Sequence, residues 1–176
     1  MVIGIKKFKE YFKDFTGSYI IIGGTACDIL LDDAGFTPRA TKDIDIILIV
    51  EVLEPEFVKQ FWAFIKEADY ERKEKSDEKR NYYRFLNPKN KEFPKQIELF
   101  SRIPDIDLEE DAHLTPIPVD NDISSLSAIL LDDDYYNYTI EHSAVEDDIN
   151  LANTEALICL KAKAFLDMTE QKAQGV

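Results

Sequence analysis

The run Asp43-Ile44-Asp45-Ile46-Ile47-Leu48-Ile49-Val50 constrains this chain more than any other stretch. Successive side chains of a strand point to opposite faces, so an aliphatic run from Ile46 to Val50 needs apolar cover on both faces at once. That is the signature of a central strand in a covered sheet. Its entrance obeys the same period of two with the opposite chemistry, because Asp43 and Asp45 place their carboxylates side by side on one face. Like charges held that close repel unless a cation lies between them, and Mg²⁺ held by one or two carboxylates plus substrate phosphates suits such a pair. A polar strand start facing solvent is the plain structural alternative.

The rest of the chain can build the sheet that this strand requires. Its 176 residues correspond to about one domain. Phe8, Tyr11, Phe12 and Phe15 recur at i, i+3, i+4 and i+7 and predict an amphipathic helix. Residues 18–22 read as a strand that ends in Gly23-Gly24, and a helical pattern with Ala26, Ile29 and Leu30 follows at once. Pro55 opens a third helix whose buried face is Phe57, Phe61, Phe64 and Ile65. The charge run 71–80 reads as a solvated turn or helix end, and residues 82–86 and 96–100 as a hairpin with an extended connection. Short strands are expected at 114–119, 126–131 and 135–140. A final helix capped by Asn153 or Thr154 runs through Leu157, Leu160, Lys161 and Phe165 to Met168. The order predicts an α+β domain with a mixed β-sheet flanked by helices.

Charge divides the chain. Twenty-one Lys and Arg against 35 Asp and Glu give a net charge of −14, which taken whole disfavours non-specific binding to a polyanion. Yet residues 103–160 contain no Lys or Arg and hold 15 of the acids, so the remaining chain, with 21 bases and 20 acids, is close to neutral. Lys73, Lys75, Lys79, Arg80, Arg84, Lys89, Lys91 and Lys95 form a basic strip that could serve an RNA or simply be solvated. Cys27, Cys159, His113 and His142 lack the spacing of a zinc site. With no leader-like segment and no span long enough for a bilayer, a cytoplasmic protein without membrane contact is expected.

Three further features carry chemistry. Gly23-Gly24-Thr25 lies between a strand and a helix N-terminus, where unpaired N–H groups and the helix dipole favour an anion such as phosphate. Such glycine pairs also arise for steric reasons alone. Glu98 is the lone acid of an apolar strand and faces either solvent or a site. Beside Asp43 and Asp45 it would allow two divalent ions to be bound for an in-line displacement.

Gly23-Gly24-Thr25 at a strand end, the block Arg39-Ala40-Thr41-Lys42-Asp43-Ile44-Asp45, and an acid in a later strand together resemble the DNA polymerase β superfamily of nucleotidyltransferases. Within it the chain is most similar to the AbiEii-type toxin nucleotidyltransferases of bacterial toxin–antitoxin systems. The resemblance implies a nucleotidyltransferase-like fold over residues 1–176, divided into a catalytic core at 1–102, an acidic strand-rich segment at 103–152 and a C-terminal helix at 153–176. It implies transfer of a nucleoside monophosphate from an NTP such as ATP to an acceptor hydroxyl, with two Mg²⁺ ions bound by Asp43, Asp45 and Glu98. Glu98 would also help deprotonate the acceptor. Gly23, Gly24, Thr25 and Lys161 would hold the triphosphate, and Arg39 and Lys42 would flank it. The implied acceptor is tRNA or another RNA, and the implied protein partner a cognate antitoxin. Two alternatives stand beside this reading: an aminoglycoside-type nucleotidyltransferase using the base-free segment as an acidic cleft, and a non-catalytic interaction protein that keeps the fold.

Overall fold

The computed structural model describes residues 2–37, 41–72, 82–101 and 132–173. In chain order the elements are α1 (Ile5–Phe12), β1 (Tyr19–Ile22), α2 (Gly23–Asp33), β2 (Asp43–Leu48), α3 (Pro55–Ala68), β3 (Glu71–Arg72), β4 (Tyr82–Leu86), β5 (Gln96–Phe100), α4 (Asp133–Glu141), β6 (Ser143–Glu146), β7 (Ile149–Ala152) and α5 (Thr154–Ala173). The strands form one seven-stranded mixed sheet in the order β3-β4-β5-β2-β1-β7-β6. β2 is its middle strand, antiparallel to β1 and parallel to β5, which is the central position that its aliphatic half demands.

Register divides the side chains between two faces. Ile21, Ile46 and Leu99 lie in one cross-strand row, and Ile44, Ile97 and Phe85 in the next row of that same face. Here α1 and α3 pack through aromatic rings, with Phe8 edge-on to Tyr19 at 5.3 Å and Phe61 to Phe85 at 5.7 Å between centroids. The stripe foreseen on α1 is thus core, with Phe12 at its centre, 4.5 Å from Phe8 and 5.2 Å from Phe64. The opposite face carries the row Ile22, Asp45, Glu98 and Arg84.

β7 is parallel to β1, with Ile21 opposite Leu151. Since α2 leaves the end of β1 and α5 leaves the end of β7, both helices begin at the same end of the sheet. Asn153 caps α5 by accepting from the Ala156 N–H at 3.0 Å. Among the described residues no helix is long and apolar enough to cross a membrane.

Two elements differ in kind from expectation, the first being Glu71–Arg72, which pair with β4 as the strand β3 where a solvated turn or helix end was expected. Residues 135–140, expected as a strand for their tyrosines and Ile140, lie in α4. Asp132 caps that helix by accepting from the N–H groups of Asp134 and Tyr135, and Asp133 and Asp134 sit in the first turn, where the helix dipole favours acids. Following it, β6 and β7 form a hairpin that the sequence reading missed. Its turn residues, Asp147 and Asp148, both take positive φ, 45° and 65°, as a two-residue hairpin turn of the right twist requires. The expected strands at 114–119 and 126–131 lie outside the described residues.

Truncating the buried aromatic hub tests this architecture. Phe12, with 0% of its surface exposed, should cost about 3–5 kcal/mol of stability as Phe12→Ala. Urea denaturation with an unchanged m-value would report it, and a loss under 1 kcal/mol would place α1 outside the core.

Candidate active site

The sheet end at which α2 begins collects the acidic residues singled out in the sequence. Antiparallel pairing sets Asp45 opposite Ile22, the last residue of β1, and parallel pairing sets Asp43 opposite Gln96 and Asp45 opposite Glu98. Asp43, Asp45 and Glu98 therefore share one face, with the first turn of α2 beside them. Glu98 is 8% exposed, Asp45 half-buried and Asp43 exposed. A residue that could face solvent or a site thus proves to be turned inward against another carboxyl.

Gly23 and Gly24 have a local cause. A Cβ on Gly23 would lie 1.9 Å from Asp45 Oδ2, and one on Gly24 would lie 2.7 Å from the Thr41 methyl. Gly23 also takes φ +68°, which side chains disfavour. The Gly24 N–H acts on the Asp45 carboxyl by opposing the rise of its pKa, so a carboxyl of the protein itself already occupies the helix N-terminus. Thr25 is fully buried and its hydroxyl donates to the Asp43 carbonyl oxygen. Its hydroxyl binds α2 to β2.

The sequence reading overlooked Asp28. Its Oδ2 accepts from both the Thr41 N–H, at 2.9 Å, and the Thr41 hydroxyl, at 2.6 Å. This brace ties the segment before Asp43 to α2 and sets the Thr41 methyl where Gly24 must lack a side chain. Aspartate one helical turn after a Gly-Gly-Thr start was the available signal. Arg84, read as part of a basic strip, instead engages Glu98: its Nε and Nη2 lie 2.9 Å and 2.8 Å from Glu98 Oε1. Gln96 Nε2 donates to the same oxygen. Lys89 of the same strip pairs with Asp69 at 2.6 Å.

Lys42 and Lys95 are exposed and precede Asp43 and Gln96, which face each other across β2 and β5. Lys161 is exposed on α5, and no contact joins it to the three carboxylates among the described residues. Arg39, Lys73, Lys75, Lys79 and Arg80 lie outside the described residues.

Electrostatics mark the trio as unbalanced. Loss of water around the Asp45 carboxyl, followed by the charges of Glu98 and Asp43 and a hydrogen bond shared with Glu98, pushes its pKa up to about 8, with the Gly24 N–H opposing. Asp43 is raised by desolvation first and by Glu98 second, while Arg84 and Lys42 act the other way. Among the described residues no group of three or more His, Cys, Asp or Glu side chains converges as a metal cage. Asp43 and Asp45 are the members of the trio that could hold a Mg²⁺ ion whose remaining positions are filled by phosphates and water.

No family model, curated protein or solved structure matches this chain.

The raised pKa of Asp45 fixes the sign of a pH effect. Between the ordinary carboxylate value of 3.8 and about 8 the folded protein keeps a proton that the unfolded chain has released, so stability falls as pH rises through that window. For one proton the slope is at most about 1.4 kcal/mol per pH unit. Asp45→Asn should remove most of it and melt above the wild type at pH 8 in chelator. A variant less stable than wild type there would show that the charge is not strained.

Proposed function

We propose that the protein is a Mg²⁺-dependent nucleotidyltransferase that moves a nucleoside monophosphate from an NTP to an acceptor hydroxyl and releases pyrophosphate. The observation that carries this reading is the placement of Asp43, Asp45 and Glu98 on one sheet face beside the N-terminus of α2. The residues fit a divalent cation: desolvation and the charge of Glu98 act against the ionised form of both aspartates, and glycine at position 23 lets the Asp45 carboxyl lie against the start of α2. When bound, Mg²⁺ supplies charge for the triphosphate and stabilises the pyrophosphate as it leaves.

The chain's own groups account for the remaining work. Asp43 and Asp45 hold the cation on a rigid central strand. The first-turn N–H groups of α2 face the phosphates. Glu98 orients the acceptor hydroxyl and takes its proton while that oxygen bonds to the α-phosphorus and the α–β bridging P–O bond breaks. Asp28 and Thr41 keep α2 and β2 in fixed relation, so metal-binding and phosphate-binding groups move as one body.

The acceptor in this proposal is an RNA 3′ hydroxyl, the one implied by resemblance to the AbiEii-type toxins, which also implies a cognate antitoxin. Exposed Lys42 and Lys95 at the same sheet end are suited to a polyanion. Lys161, as an exposed helix lysine, is assigned to the triphosphate by that resemblance alone.

The test incubates the protein with Mg²⁺ and each labelled NTP in turn, together with total RNA or an aminoglycoside mixture. Label should enter RNA and release pyrophosphate, and Asp43→Ala/Asp45→Ala should lower the rate by about 10²-fold or more, the scale of losing metal-borne charge stabilisation. Label in the aminoglycoside fraction alone would move the acceptor to a small cationic molecule. No transfer, together with no NTP binding by calorimetry, would leave the non-catalytic interaction role.

A further inference from the structure

Within that function, the geometry points to Arg84 as a positioning residue that acts on the reaction through Glu98. Arg84 lies directly across from Glu98 on the neighbouring antiparallel strand, and the row continues to Asp45. Its guanidinium reaches Glu98 Oε1 through both Nε, at 2.9 Å, and Nη2, at 2.8 Å. Two donors from one planar group fix orientation as well as distance, which a lysine ammonium at the same place would not do. Gln96, two residues before Glu98 on its own strand and therefore on the same face, donates to that oxygen too.

Oε1 is thus taken up by three N–H donors from two strands. The position of Oε1 is set, and Oε2 is the oxygen outside this clamp. Glu98 meanwhile lies directly opposite Asp45 in the register of β5 on β2, so it stands between the clamp and the aspartates. A glutamate side chain has three rotatable bonds, and unrestrained it would spread its carboxylate over many positions. Catalysis by proton removal needs that oxygen within about 3 Å of the acceptor hydroxyl. The clamp restricts Glu98 to one placement beside Asp45 and supplies a positive charge to a site otherwise lined with three acids. Arg84 is itself only 21% exposed at its side chain, and Glu98 11%, so the pair is shielded from the screening that makes surface ion pairs weak.

The inference rests on the nucleotidyl-transfer reading, and the experiment separates the two. Single-turnover rates and binding of an unreactive NTP analogue with Mg²⁺ are measured for wild type, Arg84→Gln, Glu98→Gln and the double variant. Arg84→Lys is the conservative control, and circular dichroism melts confirm folding. Arg84→Gln should slow transfer by about 10²-fold, the low end of a general-base contribution, with analogue affinity within about 2-fold of wild type. Arg84→Lys should recover part of that loss.

In the Glu98→Gln background, removing Arg84 should cost no more than about 2-fold, because two residues that act through one group are not additive. Independent, additive losses would overturn the proposal, as would weakened analogue binding at unchanged rate, which would make Arg84 a phosphate ligand. Should Arg84→Gln fail to fold, Arg84→Lys with Glu98→Gln completes the same cycle. Failure of the underlying reading has a different signature: a wild type that neither binds the analogue nor transfers, which overturns both.

Discussion

Parallel pairing of β2 with β5 is the constraint on which the rest of the structure depends. It sets Asp45 beside Glu98 and Asp43 beside Gln96, and so brings together charges that would separate if the chain were free. Each neighbouring element either secures that pairing or relieves its cost. On one face, α1 and α3 cover Ile44, Ile46, Ile97 and Leu99 with aromatic rings, and burial of this kind is the main favourable contribution to folding. On the other face Arg84 and Gln96 donate to Glu98, and the Gly24 N–H opposes the rise of the Asp45 pKa. The apolar half of β2 anchors the strand that its acidic half strains.

That division explains why the first turn of α2 is built from glycine. The usual account of a Gly-Gly start is access for a bound anion, yet Asp45 Oδ2 already occupies the space a Gly23 side chain would need. The two roles are compatible. A helix start that lies against Asp45, and is joined to β2 through Thr25 and through the Asp28–Thr41 brace, holds its first turn in a fixed relation to Asp43 and Asp45. Pre-organisation of that kind is how a site made mostly of charges serves a reaction with little covalent chemistry for the protein to perform.

Most of the sheet was legible in the sequence, for reasons that can be named residue by residue. A period of two put Asp43 and Asp45 on one face, the uninterrupted aliphatic run made β2 central, and the lone acid of β5 made Glu98 conspicuous. Features that depend on which strand lies beside which were not legible. Arg84 among other bases reads as surface charge, and only the register of β4 on β5 reveals that it faces Glu98. The error at α4 has another origin. Tyr135, Tyr136, Tyr138 and Ile140 favour strands by propensity, but the Asp132 cap and packing decide the outcome: Tyr136 is buried and its hydroxyl donates to Glu51 at 2.7 Å. The β6–β7 turn lacks the Asn-Gly or Asp-Gly pair that announces such hairpins, using two aspartates in its place.

The proposal that Asp43 and Asp45, crowded by Glu98, would hold a divalent cation has a direct consequence. Calorimetric titration of Mn²⁺ into the protein with an unreactive NTP analogue at pH 7, repeated in two buffers of different ionisation enthalpy, tests it most directly. A cation that displaces the proton held by Asp45 should release about one proton per binding event, and Asp45→Asn should abolish both the release and most of the affinity. Metal–nucleotide binding without proton release, or binding unaffected by Asp45→Asn, would contradict the account.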